Sequence, residues 1–243
     1  SLPQYQSTLD FVAGDLTLVM DTPSILGITP EELKDYRPAH PKYFHKTPKY
    51  RYGGACYAQL PGEVPEQVSK HFDTSGTKLY CAMGVSGSPE VLRSMINIVR
   101  DLDLRALIVT TTILDEGNND SSGQVLIQPH VPAHLVNPMA DFAITHGGAG
   151  TVQTAIHSGT PIVGIPMHQE QAGNVARVRK RGAGLMLWKS ELTRNNLAAS
   201  LETLISNDSY RENMQQLKSE QDQIDGAAVA AREIVNFLSA SHD

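Results

Sequence analysis

Thr145-His146-Gly147-Gly148-Ala149-Gly150-Thr151 is the stretch on which the reading of this chain turns. Before it stands Phe142-Ala143-Ile144-Thr145, an apolar run that reads as a buried strand, and after it a helix is expected to begin near Thr151. A strand that breaks through glycines into a helix start points several backbone N–H groups at one spot, and the helix dipole adds partial positive charge there. Phosphate suits such a site. His146 at its mouth can give one more hydrogen bond to a phosphate oxygen. The plainer alternative is that the glycines serve tight strand–helix packing.

Regular alternation surrounds this run. Leu79-Tyr80-Cys81-Ala82-Met83 reads as a strand and Gly84-Val85-Ser86-Gly87-Ser88 as a loop. A helix follows, with Ser88 as N-cap, Pro89 at its first position and Glu90 in its first turn, and with Val91, Leu92, Met95, Ile96 and Val99 at helical spacing. Further strands are expected over 104–110, 124–128, 161–165 and 184–188, a solvated turn over 116–123, and a short helical turn over 132–137. The helix after the glycine run carries Val152, Ala155 and Ile156 and stops at Gly159; later helices are expected over 172–181, 194–206, 209–223 and 227–238. Strands alternating with helices imply an α/β fold, a doubly wound parallel Rossmann-like sheet covered on both faces.

The first part of the chain reads differently. A strand is expected over 15–21, and after it Pro23, Pro30, Pro38, Pro41 and Pro48 argue for an extended connector with one short helix at 30–34. The expected division is therefore 1–65, the remnant of an N-terminal domain with its linker, and 66–243, a ligand-binding domain.

Composition narrows the function classes. The chain has 243 residues and a formal net charge of −6, so no global basic field exists to hold nucleic acid or an anionic membrane. A polyanion needs a local site, such as a helix end. Neither a signal-peptide pattern nor a membrane-length apolar run is present, so the expected compartment is the cytoplasm, with Cys56 and Cys81 as buried thiols rather than a disulfide framework. Nine histidines occur, but without an HExxH pattern and with few carboxylates beside them, so no metal site is expected. His134 and His157 read as half-buried helix residues. There is no Gly-x-Ser-x-Gly elbow, no Gly-Lys-Ser/Thr after the glycines, and no dinucleotide fingerprint with its ribose-binding acid. Ligands of such sheets bind outside the carboxyl ends of the strands, where the loops at Gly84, His130, His146 and His168 fall.

Taken together, Thr145 to Thr151, the run Ser158-Gly159-Thr160-Pro161-Ile162-Val163-Gly164-Ile165-Pro166, and Glu170-Gln171 with Asn174 resemble the donor-binding signature of inverting GT-B glycosyltransferases, which include the UDP-glycosyltransferases and the antibiotic glycosyltransferases. The match runs ungapped from about His130 to Gly184. Gly14-Asp15-Leu16-Thr17-Leu18 resembles the end of that family's N-terminal domain. The resemblance implies that His146 and the N–H groups around Gly148, Ala149, Gly150 and Thr151 hold a diphosphate, with Gly84 and Ser86 beside them. It places His130, Val131, Ala133 and Thr154 at the base and ribose, and Glu170 and Gln171 on the hydroxyls of the donor sugar. His130, Ala133 and Thr154 stand where the family often carries tryptophan, glutamine and glutamate, so the donor is a UDP-sugar or a dTDP-sugar. The resemblance also implies that the catalytic base and the acceptor pocket lie in an N-terminal half of which this chain holds only the end. The chain is expected to bind donor without turning it over, needing no metal or other cofactor, as part of an enzyme that glycosylates a small hydrophobic or lipid-like acceptor. The alternatives are a natural donor-binding subunit with a separate acceptor-binding partner, a non-catalytic interaction module, and an epimerase of the same fold.

Overall fold

The structure, a computed structural model, describes residues 13–37, 47–84, 89–102, 104–110 and 123–240. The chain divides into two compact units, 1–56 with 220–243, and 57–219.

In the first unit, β1 (Leu16–Val19) and β2 (Lys49–Tyr52) pair in parallel, with Leu16 opposite Lys49 and Val19 opposite Tyr52. A parallel pair needs a crossover connection, and the proline-studded segment supplies part of it as α1 (Pro23–Leu26) and α2 (Pro30–Asp35). Each begins on a proline, whose fixed φ suits a first helical turn. In α2 the Thr29 hydroxyl accepts from the Glu32 N–H while the Glu32 carboxylate accepts from the Thr29 N–H, a reciprocal cap. The short helix expected at 30–34 is therefore present. The first helix and β2 are additions, because two short elements that pair only with distant sequence leave little local pattern. The C-terminal helix Gly226–Ser239 packs on both strands. Asp225 caps it through the Ala228 N–H at 3.0 Å, and a Cβ on Gly226 would strike the Ala55 carbonyl. Lys49 holds its ammonium 5.2 Å above the Phe237 ring. The division expected from the sequence is 1–65 and 66–243; the compact units differ from it because this last helix lies against β1 and β2.

The second unit carries α3 (Glu66–Phe72), β3 (Lys78–Ala82), α4 (Pro89–Arg100), β4 (Arg105–Val109), β5 (Val125–Gln128) and α5 (Ala133–Val136), which runs into a 3-10 turn at Asn137–Met139. It continues through β6 (Phe142–Thr145), α6 (Ala149–Ser158), β7 (Ile162–Gly164), α7 (Gln169–Lys180), β8 (Gly184–Met186), α8 (Arg194–Ser206) and α9 (Ser209–Asp222). All six strands are parallel, in the order β5-β4-β3-β6-β7-β8. This is the doubly wound sheet that the alternation predicts. Every residue of β6 is buried, as befits a central strand covered on both faces. On one face Val91, Leu92, Met95, Ile96 and Val99 of α4 join Leu197, Leu201 and Leu204 of α8 in a single core. Each such side chain contributes roughly 1.5–3 kcal/mol relative to exposure. Cys81 sits in that core as a fully buried thiol whose pKa burial pushes up, while Cys56 is exposed.

Two helices start earlier than their apolar spacing suggests. The helix expected near Thr151 begins at Ala149, and the one expected from about 172 begins at Gln169. Their first turns hold small and polar residues, so hydrophobic periodicity starts one turn late. The strand order reverses between β3 and β6, where Ala82 lies opposite Thr145. That reversal is where a sheet of this kind opens a crevice outside its carboxyl ends. Among the described residues no helix is long and apolar enough to cross a membrane.

Candidate functional site

At the β3–β6 reversal, the loop after β6 folds back over the end of β3. Gly147 has φ +87°, and a Cβ there would come within 2.5 Å of Val175 Cγ2 and 2.8 Å of the Gln171 carbonyl oxygen. This glycine is required by packing against α7. Gly148, the N-cap of α6, is required for another reason: its Cβ would meet His146 Nε2 at 2.5 Å. Gly84 closes the other side, with φ +57° and a Cβ that would lie 2.7 Å from His146 Cε1. The imidazole is thus held between two backbones from distant parts of the chain. Gly150 stands apart, since a Cβ there would meet nothing within 4 Å.

The start of α6 is open. No side chain caps it, and the first amide used inside the helix is that of Val152, which donates to the Gly148 carbonyl at 3.0 Å. The amides of Ala149, Gly150 and Thr151 therefore point out of the helix without intrahelical partners. Ala149 and Gly150 are exposed, Thr151 half-buried, and the first turn carries no acidic residue to oppose an anion.

His146 completes this end. It is 7% exposed, and its Nδ1 is buried with no partner in hydrogen-bonding geometry. Burial lowers its pKa below the usual 6.5; the Ala82 carbonyl beside the ring and the Glu170 carboxylate raise it in part, and His168 lowers it further. The resting imidazole is neutral and carries one N–H. Serving both the Ala82 carbonyl and a phosphate oxygen takes a second proton. His71, whose ring lies 3.0 Å from the Ala106 carbonyl, is also lowered, by burial first and with Arg105 adding to it.

These shifts have a sign. The folded histidines bind protons less readily than unfolded ones, so their contribution to stability is complete above the unfolded value of 6.5 and is lost as pH falls towards their folded values. Melting temperature is therefore expected to drop as pH falls from about 7 to 5, and a His71→Gln/His146→Gln variant to show a shallower drop than the wild type. Parallel curves for the two proteins would contradict this.

The remaining sequence-predicted residues fall as follows. Ser86 lies outside the described residues. His130 is exposed beyond β5, Val131 is buried, and Ala133 is the half-buried first residue of α5, which packs on α6. Thr154 is buried and its hydroxyl donates to the Gly150 carbonyl at 2.8 Å within α6. Glu170 is exposed in the first turn of α7, with Oε2 3.9 Å from His168 Nδ1. Gln171 points inward, buried, and its Oε1 accepts from the Met167 N–H at 2.8 Å. This leaves its NH2 group as the end available to a ligand. His134 and His157 are half-buried. Among the described residues no group of three histidines, cysteines or carboxylates gathers as a metal cage. Beside Glu170 a cavity of about 640 Å³ opens between the ends of β7 and β8, lined by His168, Gln169, Trp188 and Lys189 among others.

What the sequence reading left without a role is Asn174. Its signal is its spacing, four residues after Glu170 on the same helix.

Comparisons with known proteins match the part of the chain that carries these residues. The pattern of the family described as "UDP-glucoronosyl and UDP-glucosyl transferase" matches residues 124–224, the span from β5 through α9 that holds every candidate residue except Gly84 and Ser86. The chain is 40% identical over 86 residues to UDP-glucuronosyltransferase 2B14 of Oryctolagus cuniculus, covering 35% of this chain and 16% of that protein. It is 30% identical over 154 residues to NDP-glycosyltransferase YjiC of Bacillus subtilis (strain 168), covering 63% and 39%. Among solved structures, spinosyn rhamnosyltransferase SpnG complexed with thymidine diphosphate superposes with a TM-score of 0.67 at 18% identity, over 89% of this chain and 55% of that one. The fold is thus that of about half of a GT-B chain. The chain spans less than half the length of the curated relatives it matches.

Proposed function

We propose that the 57–219 unit, which over residues 124–224 matches the pattern of the UDP-glucoronosyl and UDP-glucosyl transferase family and so reads as a nucleotide-sugar glycosyltransferase domain, binds a UDP- or dTDP-sugar with the diphosphate on the start of α6. The observation that carries the proposal is the uncapped α6 start beside a nine-tenths buried imidazole wedged between Gly84 and Gly148. The amides of Ala149, Gly150 and Thr151 face the charge of the diphosphate, and the helix dipole favours it. His146 donates to a phosphate oxygen, and its second proton arrives with the anion. Glu170 and the NH2 of Gln171 take vicinal hydroxyls of the sugar, one accepting and the other donating. His130, Val131 and Ala133 form the loop offered to the base, and Thr154 holds the first turn of α6 in shape beneath the ribose.

In the whole protein this donor site serves transfer, with inversion, to a small hydrophobic or lipid-like acceptor. The base and the acceptor pocket are assigned to a separate N-terminal domain, of which residues up to about 65 are the remnant and linker. SpnG, whose fold this chain shares, binds a spinosyn aglycone. No residue of this chain is assigned the base.

Calorimetric titration with UDP and with dTDP tests the reading, and saturable binding of at least one is expected. Trp188, the only tryptophan of the chain, lines the cavity beside His168 and Gln169, so a sugar nucleotide is also expected to change its fluorescence more than the bare diphosphate does. Failure of both nucleotides to bind would end the proposal.

A further inference from the structure

We infer that Asn174 is the positioning residue that couples the diphosphate loop to the sugar-binding carboxylate; the inference rests on the donor-site reading above. The Asn174 Nδ2 group donates one hydrogen to the Gly147 carbonyl at 3.0 Å and the other to Glu170 Oε1 at 2.6 Å. Its Oδ1 accepts from Arg177 Nη1 at 3.1 Å. Both hydrogens of the amide are thereby committed, and the guanidinium fixes which end of it is nitrogen.

The two bonds act on different parts of the ligand. Gly147 and Gly148 share a peptide unit, which is trans, since no described peptide bond is cis. In a trans peptide the carbonyl and the N–H point in opposite directions. Holding the Gly147 carbonyl against α7 therefore aims the Gly148 N–H away from α7, among the diphosphate donors. The backbone at Gly147, with its φ of +87°, has rotational freedom that few residues share, so an external restraint on this peptide matters there. Meanwhile Glu170 is an exposed side chain with 59% of its surface in solvent. Left alone it samples many rotamers. The bond to Asn174 holds Oε1 and leaves Oε2 to face a hydroxyl. One amide thus sets the phosphate donor and the sugar acceptor in a single geometry. This makes the preference for a sugar nucleotide over a bare diphosphate depend on a residue placed to touch neither.

The experiment is a double-mutant cycle read by calorimetry on the full chain, with UDP and UDP-glucose and, in parallel, dTDP and dTDP-glucose. Two quantities are followed: affinity for the bare diphosphate, and the ratio of sugar-nucleotide to diphosphate affinity. Asn174→Ala is expected to weaken the diphosphate about 5-fold and to lower the ratio by about 5-fold again, each the effect of one lost hydrogen bond. Glu170→Gln is expected to lower the ratio alone. Adding Asn174→Ala to Glu170→Gln should then weaken the diphosphate without lowering the ratio further. Should the alanine variant not fold, the isosteric Asn174→Asp is read in its place, with losses in the same direction because a carboxylate would face Glu170 and the Gly147 carbonyl.

A purely structural asparagine would lower the melting temperature and leave the ratio untouched; that result overturns the inference. So does an equal further loss of the ratio in the Glu170→Gln background, since the two residues would then act separately. Wild-type protein that binds no nucleoside diphosphate overturns the donor-site reading itself, a result distinct from either.

Discussion

Replacing His146 with alanine is expected to weaken binding of UDP or dTDP by about 10- to 150-fold, the equivalent of one hydrogen bond to a charged group. The imidazole is a buried polar side chain at the mouth of α6, and in the proposed site it meets the diphosphate as a donor that gains charge on binding. The proton it gains gives the effect a direction in pH. Its free pKa lies below 6.5, and an adjacent anion raises it. Affinity for a sugar nucleotide, whose diphosphate does not titrate in this range, is therefore expected to rise as pH falls from about 7 to 6. Titrations in buffers of different ionisation enthalpy should register proton uptake in the wild type and none in His146→Ala. The ring also fills space between Gly84 and Gly148, so its removal is expected to lower stability. His146→Gln retains bulk and a neutral donor but cannot take the second proton, so it should recover part of the affinity and none of the pH dependence. Equal affinity in wild type and His146→Ala would remove the imidazole from the site.

The second large effect separates the glycines. Gly147→Ala would force an L-residue to φ +87° with its methyl 2.8 Å from the Gln171 carbonyl oxygen, a backbone atom that cannot step aside. Left-handed strain and overpacking together cost roughly 2–5 kcal/mol. For a unit of this size the melting temperature is expected to fall by roughly 10 °C. Gly150→Ala has the opposite profile. Helix propensity improves by roughly 0.5–1 kcal/mol, so the melting temperature should hold or rise. A Cβ in a helix tilts towards the N-terminus, which here is the place proposed for the diphosphate. Binding is therefore expected to weaken by about 10-fold or more, the cost of overpacking a tight contact. Thermal melts and calorimetry on the two variants are decisive together. If Gly150→Ala bound nucleotide as the wild type does, the α6 start would not be where the phosphates sit.

The contrast between these glycines shows where local sequence stops being informative. In the primary structure Gly147, Gly148 and Gly150 belong to one motif and invite one explanation. In the fold the first packs on α7, the second makes room for the imidazole, and only the third has open space. Gly84 and His146 are far apart in the chain and meet because β3 and β6 are neighbours. Strand order is set by crossovers between distant segments, which no local pattern reports. Gln171 is a similar case. Its pairing with Glu170 suggests two equivalent sugar ligands, yet α7 begins at Gln169 and turns one outward and the other into the interior. The same early start puts Asn174 one turn above Glu170, within reach of Gly147.

By itself the sequence determined the succession of strands and helices from Lys78 to the end of the 57–219 unit, the parallel sheet they build, and a glycine-framed helix start suited to an anion, because apolar periodicity and turn chemistry are local properties. Tertiary structure alone decided which backbones enclose His146, which way Gln171 and Thr154 point, and that the last helix returns to pair with β1 and β2. Those outcomes depend on contacts between residues separated by tens to hundreds of positions, whose energies are realised only once the chain has closed on itself.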